Sequence, residues 1–230
     1  MKNQIILTAV AILFVGVISV SAQHDDTPKG VEGAGVFIKG WTGSVDAKDQ
    51  AAGLSVNSAK LVTEGKGMHV TTGPATTYWN PANTAKGDYT VSATFTESKY
   101  MSINDHPHPY GIMIGGNDLG TDKASYLYCA AYGNGTFIVR GFGPAPFQMG
   151  KREPNDAINK AAGVGQPVTQ TIAMSVKGNQ VTCSINNKVV GTYERSALVM
   201  DGKLKSTDGV YGFRFAHNTD AIVSDFKMTK

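Results

Sequence analysis

Residues 110–147 read YGIMIGGNDLGTDKASYLYCAAYGNGTFIVRGFGPAPF. Three aromatic and apolar runs, Tyr110–Ile114, Tyr126–Tyr132 and Phe137–Phe142, alternate with glycine-rich breaks. Each run is too short for a typical helix, and Gly133-Asn134-Gly135 between the last two is a hairpin signal. Parity splits the stretch into two faces. If Leu127, Cys129, Ala131, Phe137 and Val139 face a core, then Tyr126, Tyr128, Tyr132, Ile138, Arg140 and Phe142 face the other way.

The same pattern extends outward. Asp88–Glu97 (DYTVSATFTE) sets Tyr89, Val91, Ala93 and Phe95 against Thr90, Ser92, Thr94 and Thr96, a half-buried antiparallel strand. Thr171–Lys177 and Gln180–Asn186 flank Gly178-Asn179, and Asn186-Asn187 turns into Lys188–Tyr193. Gly209–His217 alternates again, with Tyr211, Phe213 and Phe215 on one side and Arg214 on the other. Ala221–Met228 closes the chain, with Ile222, Ser224, Phe226 and Met228 expected together. Shorter candidates are Leu54–Val56, Lys60–Thr63, Gly67–Thr71 and Thr76–Trp79. Trp41–Ala51 reads as irregular, with Trp41 covering one end of the core, and Glu153–Ala162 as one or two helical turns. About a dozen short strands at this spacing imply an all-β sandwich or barrel.

The N-terminus, MKNQIILTAVAILFVGVISVSAQ, has a basic Lys2, an apolar Ile5–Val20 and a small-residue exit at Val20-Ser21-Ala22. This is the pattern of a secretory signal peptide over residues 1–22. Residues 23–34 then read as a flexible lead-in and 35–230 as one domain. Removing Lys2 takes the net charge from +3 to +2, too balanced to argue for nucleic acid. No second apolar span follows, so no membrane crossing is expected after cleavage.

Two cysteines, Cys129 and Cys183, follow the leader. If the strands at 126–132, 137–142, 171–177 and 180–186 form one meander, the two lie three strands apart, about 14 Å. A bridge needs Cα atoms within about 7 Å, so buried free thiols are expected.

The order of features (an early Trp, GDYTVSATF, YGIMIGG, YLYCAAYGNGTFIVR, NNKVVG, GVYGFRF and a closing SDF) resembles the concanavalin A-like lectin/glucanase superfamily. It is similar to secreted bacterial domains of unknown function related to the 3-keto-disaccharide hydrolase domain. The resemblance implies a two-sheet antiparallel jelly roll and a secreted or periplasmic bacterial protein. It also implies a carbohydrate-binding or cell-envelope interaction module with a ligand groove on a concave sheet. Tyr126, Tyr128, Tyr132, Arg140 and Arg214 are the residues that parity would turn toward that groove, where tyrosines stack on sugars and arginine forks hold hydroxyls or carboxylates. The superfamily's structural calcium would have Asp225 as its matching acid here. Asn117–Asp122 only faintly resembles a calcium loop, because it lacks the alternating acids.

The glucanase E-x-D-x-x-E run is missing from the sequence, which argues against classical retaining glycosidase chemistry. An alternative is a saccharide-active hydrolase or lyase similar to 3-keto-disaccharide hydrolases, with His106 or His108 of Asp105-His106-Pro107-His108-Pro109 in acid–base work. As metal ligands those two histidines would need a third from elsewhere, with His69 and His217 the candidates. Otherwise the loop is a rigid polar cap. Asn134-Gly135-Thr136 is formally a glycosylation sequon but reads more simply as the hairpin turn.

Overall fold

A computed structural model describes residues 26–230. The expected leader lies outside these residues. In chain order the strands are β1 (Gly35–Val36), β2 (Thr42–Val45), β3 (Lys60–Glu64), β4 (Gly67–Thr72), β5 (Thr76–Ala85), β6 (Tyr89–Glu97), β7 (Tyr110–Asn117), β8 (Ser125–Tyr132), β9 (Thr136–Phe142), β10 (Phe147–Gln148), β11 (Glu153–Pro154), β12 (Val168–Lys177), β13 (Gln180–Ile185), β14 (Lys188–Glu194), β15 (Gly209–Phe215) and β16 (Thr219–Thr229). Two short helices, α1 (Ala47–Ala51) and α2 (Arg195–Leu198), lie between strands.

The strands form two sheets, antiparallel except for the short β1–β3 pairing, that pack as a jelly-roll sandwich. One has the order β1-β3-β4-β16-β6-β12-β13-β14, the other β10-β9-β8-β7-β15-β5-β2, with β11 paired to β9. Period-2 alternation decides what lies between them. Val91 and Phe95 of β6, Ile112 and Ile114 of β7, Leu127 and Cys129 of β8, Ile172 and Met174 of β12, and Phe213 and Phe215 of β15 share one core. Phe95 packs edge-on against Phe213 at 6.0 Å, and Trp41 stacks on Phe213 at 5.1 Å, closing one end of the core. The opposite parity of β6 forms a hydroxyl ladder with β12: Thr90 to Ser175 at 2.8 Å, Thr94 to Thr171 at 3.1 Å and Thr96 to Thr169 at 2.9 Å. Asn186 and Asn187 both have positive φ, 50° and 65°, the twist that a two-residue hairpin turn needs.

Several local expectations are corrected. Cys129 and Cys183 are a disulfide, with Cα atoms 6.2 Å apart. The chain does not meander from β9 to β12; residues 143–167 carry it across to the other sheet. The cysteines therefore sit on facing inner surfaces, where within-sheet spacing does not apply. In β16 the ladder to β6 shifts register between Ser224 and Lys227, and Asp225 there has φ 52°. This bulge reverses parity. Ala221 and Val223 enter the core before it and Phe226 and Met228 pack on the core after it, so Ile222 and Ser224 do not share their face. Residues 41–51 supply β2 and α1 rather than irregular chain, and residues 153–162 hold β11 and turns rather than helix. Leu54–Val56 is followed by a 3₁₀ turn, Val56–Ser58, instead of a strand.

Glu97, the last residue of β6, is an anomaly. It is buried, and its Oε2 has no hydrogen-bond partner among the described residues. Burial pushes its carboxyl up to about 7, from an ordinary 4.5. Between those pH values the unfolded chain loses the proton first, so stability falls as pH rises. Glu97→Gln should abolish that loss. At pH 8 the variant should melt about 10 °C above the parent, corresponding to about 3 kcal/mol. At pH 4 the two should coincide. Parallel melting curves across this range check it, and an equal pH slope in both proteins would refute it.

Candidate functional site

The face of β5, β7, β8 and β9 turned away from the core carries a second apolar cluster of Trp79, Met113, Tyr126, Tyr128, Ala130, Tyr132 and Ile138. Above it lies a cavity of about 320 Å³. Tyr128, Tyr132, Arg140, Arg214, His106 and His108 all line it, joined by Asp46, Arg152 and His217. Register explains the convergence. Tyr128 pairs directly with Arg140 across β8 and β9, while the loops before β7 and after β15 bring in the histidines. Tyr126 lies one step along β8 and lines an adjacent cavity of about 390 Å³ instead, with Asp46 common to both.

The tyrosines form a floor. Tyr128 and Tyr132 are buried, and the Arg152 guanidinium sits 3.7 Å over the Tyr132 ring while its Nε donates to the Thr136 hydroxyl at 2.9 Å. The ring face expected to stack on a sugar is thus covered by a cation. Tyr126 stacks on Phe142 at 5.0 Å, shares a hydrogen bond with the Thr77 hydroxyl at 2.9 Å, and is pushed up to about 12 by burial.

The two expected arginines differ. Arg214 donates to both Asp46 carboxylate oxygens, at 2.8 and 2.7 Å, and to the Thr77 hydroxyl at 3.2 Å. Burial opposes its charge, yet Tyr126 and Asp46 hold its pKa above the ordinary value. Arg214 is therefore a brace between β15 and the N-terminal end of α1. Arg140 is only partly buried, and its Nε is enclosed without a hydrogen-bond partner among the described residues. Its guanidinium lines the cavity together with that of Arg152.

One wall is the 106–109 segment with His217, and Asp26 lies behind the histidines. Among the described residues, Asp26, His106, His108 and His217 form the one group of three or more metal-capable side chains, with ligand atoms all within 4.8 Å of one another. His108 is buried and donates from Nδ1 to the His217 backbone carbonyl. Burial holds its imidazole down at about 4, against the pull of that hydrogen bond. Partial burial of Asp26 works to raise its pKa, but hydrogen bonds from Asn104 and His217 hold the carboxyl at about 2. His69 is elsewhere, between Asp220 at 3.0 Å and Glu64 at 2.7 Å. Asp225 is exposed at the β16 bulge, 3.4 Å from the Ser224 hydroxyl, and Asp118 of the faint calcium loop pairs with Lys205 at 2.9 Å. The Asn134 carbonyl accepts from the Thr136 hydroxyl at 2.7 Å, as the turn reading requires.

No protein-family model and no curated protein matches the sequence. Solved structures do match in shape. Carbohydrate-binding module CBM66 from Bacillus subtilis superposes with a TM-score of 0.55 at 9% identity, covering 86% of this chain and 99% of its own. The endo-β-1,3-glucanase from Pyrococcus furiosus gives 0.52 at 10% identity, covering 89% and 92%. A Bacillus subtilis protein of unknown function with a galectin-like fold gives 0.50 at 14%, covering 88% and 93%. The chain has the concanavalin A-like jelly-roll fold.

Within this fold three residues of the site, Asp46 and Arg152 at the cavity and Asp26 behind the histidines, escape a reading of the sequence. Asp26 lies in what reads as a lead-in, yet this stretch is laid on the sandwich, with the Val31 amide donating to the Ser58 carbonyl at 3.0 Å. Asp46 has a local signal, since it stands at the N-cap position of α1. Arg152 belongs to an irregular loop, and nothing in the sequence around it points to Tyr132.

Proposed function

We propose that this chain is an exported carbohydrate-binding protein whose saccharide lies in the cavity over Tyr128 and Tyr132, held by Arg140 and Arg152. The observation that carries this reading is Arg140. Its guanidinium lines the cavity beside Tyr128, its register partner, on the outer face of a jelly-roll sheet. A guanidinium at the edge of a tyrosine-lined cavity offers several N–H donors to a ligand hydroxyl or carboxylate. Two fold-mates, a carbohydrate-binding module and an endo-β-1,3-glucanase, give the class of ligand as analogy. The leader-like N-terminus and the disulfide both fit an oxidising compartment outside the cytoplasm.

The test is calorimetric titration of the exported protein with a panel of neutral and uronate-containing oligosaccharides. Arg140→Ala should weaken the best ligand about 10- to 100-fold, the loss expected of a charge-assisted hydrogen bond. Unchanged affinity would remove the ligand from this cavity.

A second reading, a hydrolase or lyase acting on a saccharide, is favoured by one observation: His106 and His108 line the same cavity. Under that reading 3-keto-disaccharides turn over, and His106→Ala and His108→Ala abolish turnover. Binding without turnover of oxidised or ordinary disaccharides decides for the binding module.

A further inference from the structure

We infer that Asp26, His106, His108 and His217 form a binding site for a divalent transition metal of the zinc class. This does not rest on the carbohydrate reading, because the geometry stands by itself. His106 Nε2 and His108 Nε2 are 2.7 Å apart, His217 Nε2 and Asp26 Oδ2 2.9 Å, His106 Nε2 and Asp26 Oδ2 3.4 Å, and His108 Nε2 and Asp26 Oδ1 3.9 Å. A tetrahedral ion with bonds of about 2.0–2.1 Å separates its ligands by about 3.3 Å, inside that spread. Three imidazoles and one carboxylate suit zinc and its transition-metal neighbours, and calcium or magnesium poorly.

The tautomers of His106 and His108 point the same way, while His217, whose Nε2 donates to Asp26, would give up that proton to the ion. His108 Nδ1 donates to the His217 backbone carbonyl, and His106 Nδ1 donates to the Asp105 carboxylate at 3.1 Å. With both Nδ1 atoms carrying the hydrogen, both Nε2 lone pairs face each other, and two such lone pairs repel unless a cation lies between them. Hydrogen bonds from the far nitrogen to a carbonyl and a carboxylate are also the outer support that metal-ligating histidines have. Asn104 Nδ2 supports the carboxylate, donating to Asp26 Oδ1 at 2.8 Å, and its 3.1 Å contact with His108 Nε2 is one that the ion would replace.

The ligands come from three distant pieces of chain, so the metal is a staple. It ties Asp26 at the start of the described chain to the β6–β7 loop and the β15–β16 turn. Because His106, His108 and His217 also line the cavity, an ion can enter there, and a fifth ligand can reach it from that side.

The experiment uses the untagged, exported protein after chelator treatment. Zinc chloride titrated by calorimetry should bind one per chain, micromolar or tighter. At about 100 times its Kd it should raise the melting temperature by about 5 °C. Calcium and magnesium chloride should do neither. Cobalt(II) should give the strong visible bands of a four-coordinate ion. Zinc should also slow amide exchange in the segment around Asp26. His106→Gln and Asp26→Asn, both partly exposed and so compatible with folding, should each weaken zinc about 100-fold or more, at least the cost of losing an outer-shell partner. The proposal is overturned if zinc gives neither heat nor stabilisation, as it would if a shared proton alone bridged His106 and His108. It is equally overturned if both variants bind zinc as tightly as the parent.

Discussion

Replacing both cysteines, Cys129→Ala with Cys183→Ala, should cost about 4 kcal/mol of stability and about 10 °C of melting temperature. The bridge joins β8 to β13 across the sandwich and spans a sequence separation of 54 residues. In the chain-entropy account, closing a loop of that length removes about 4 kcal/mol of freedom from the unfolded state. Both positions are fully buried, so the loss also includes packing at the centre of the core. Reductant should lower the melting temperature of the parent by a similar amount and leave the double variant unmoved. Thiol labelling after unfolding without reductant should find no free thiol in the parent. Two labelled thiols would refute the bridge.

Removing Asp46 should have the second large effect. Its carboxylate is the only acidic partner of Arg214 among the described residues, and the Arg214 side chain is just 8% exposed. Asp46→Asn leaves a desolvated guanidinium with no countercharge, only the neutral amide oxygen and the Thr77 hydroxyl as acceptors. Breaking a buried pair in this way costs about 3–5 kcal/mol, and the 31% exposure of the Asp46 side chain sets the expectation at the lower end, about 3. The double variant with Arg214→Met should recover much of that, since replacing both charges by packing volume is far milder than stranding one. Chemical denaturation of the two single variants and the double checks it. Additive losses would mean that the pair is not coupled. Through its ring contacts, with the guanidinium 5.4 Å from Phe142 and 5.8 Å from Tyr128, Arg214 also fixes the cavity floor. Asp46→Asn should therefore also weaken any ligand held there.

How far sequence led follows from which interactions are local. β6 and the β8–β9 hairpin are legible because alternation and glycine turns are written in neighbouring residues, and their faces follow at once. That parity also placed Tyr128, Tyr132, Arg140 and Arg214 on one surface, and the cavity gathers them. Parity does not say how open a surface is, so neither the cover of Arg152 on Tyr132 nor the capture of Arg214 by Asp46 could be read. A single positive φ at Asp225 reversed the face of the last strand, which no alternation pattern signals in advance. The cysteines were misjudged because consecutive strands were counted within one sheet, when residues 143–167 cross between two. Asp26 reached the histidines through the path of the lead-in over the sandwich, a tertiary matter with no local mark.

The central claim is that the cavity above Tyr128 and Tyr132 holds a saccharide. A crystal structure with the tightest-binding oligosaccharide of the panel tests it most directly. The expected result is a sugar in that cavity with an oxygen within hydrogen-bond distance of the Arg140 guanidinium and Arg152 shifted off the Tyr132 ring. A sugar bound on the outer face of the β6–β12 sheet, or only in the neighbouring cavity beside Tyr126, would contradict it.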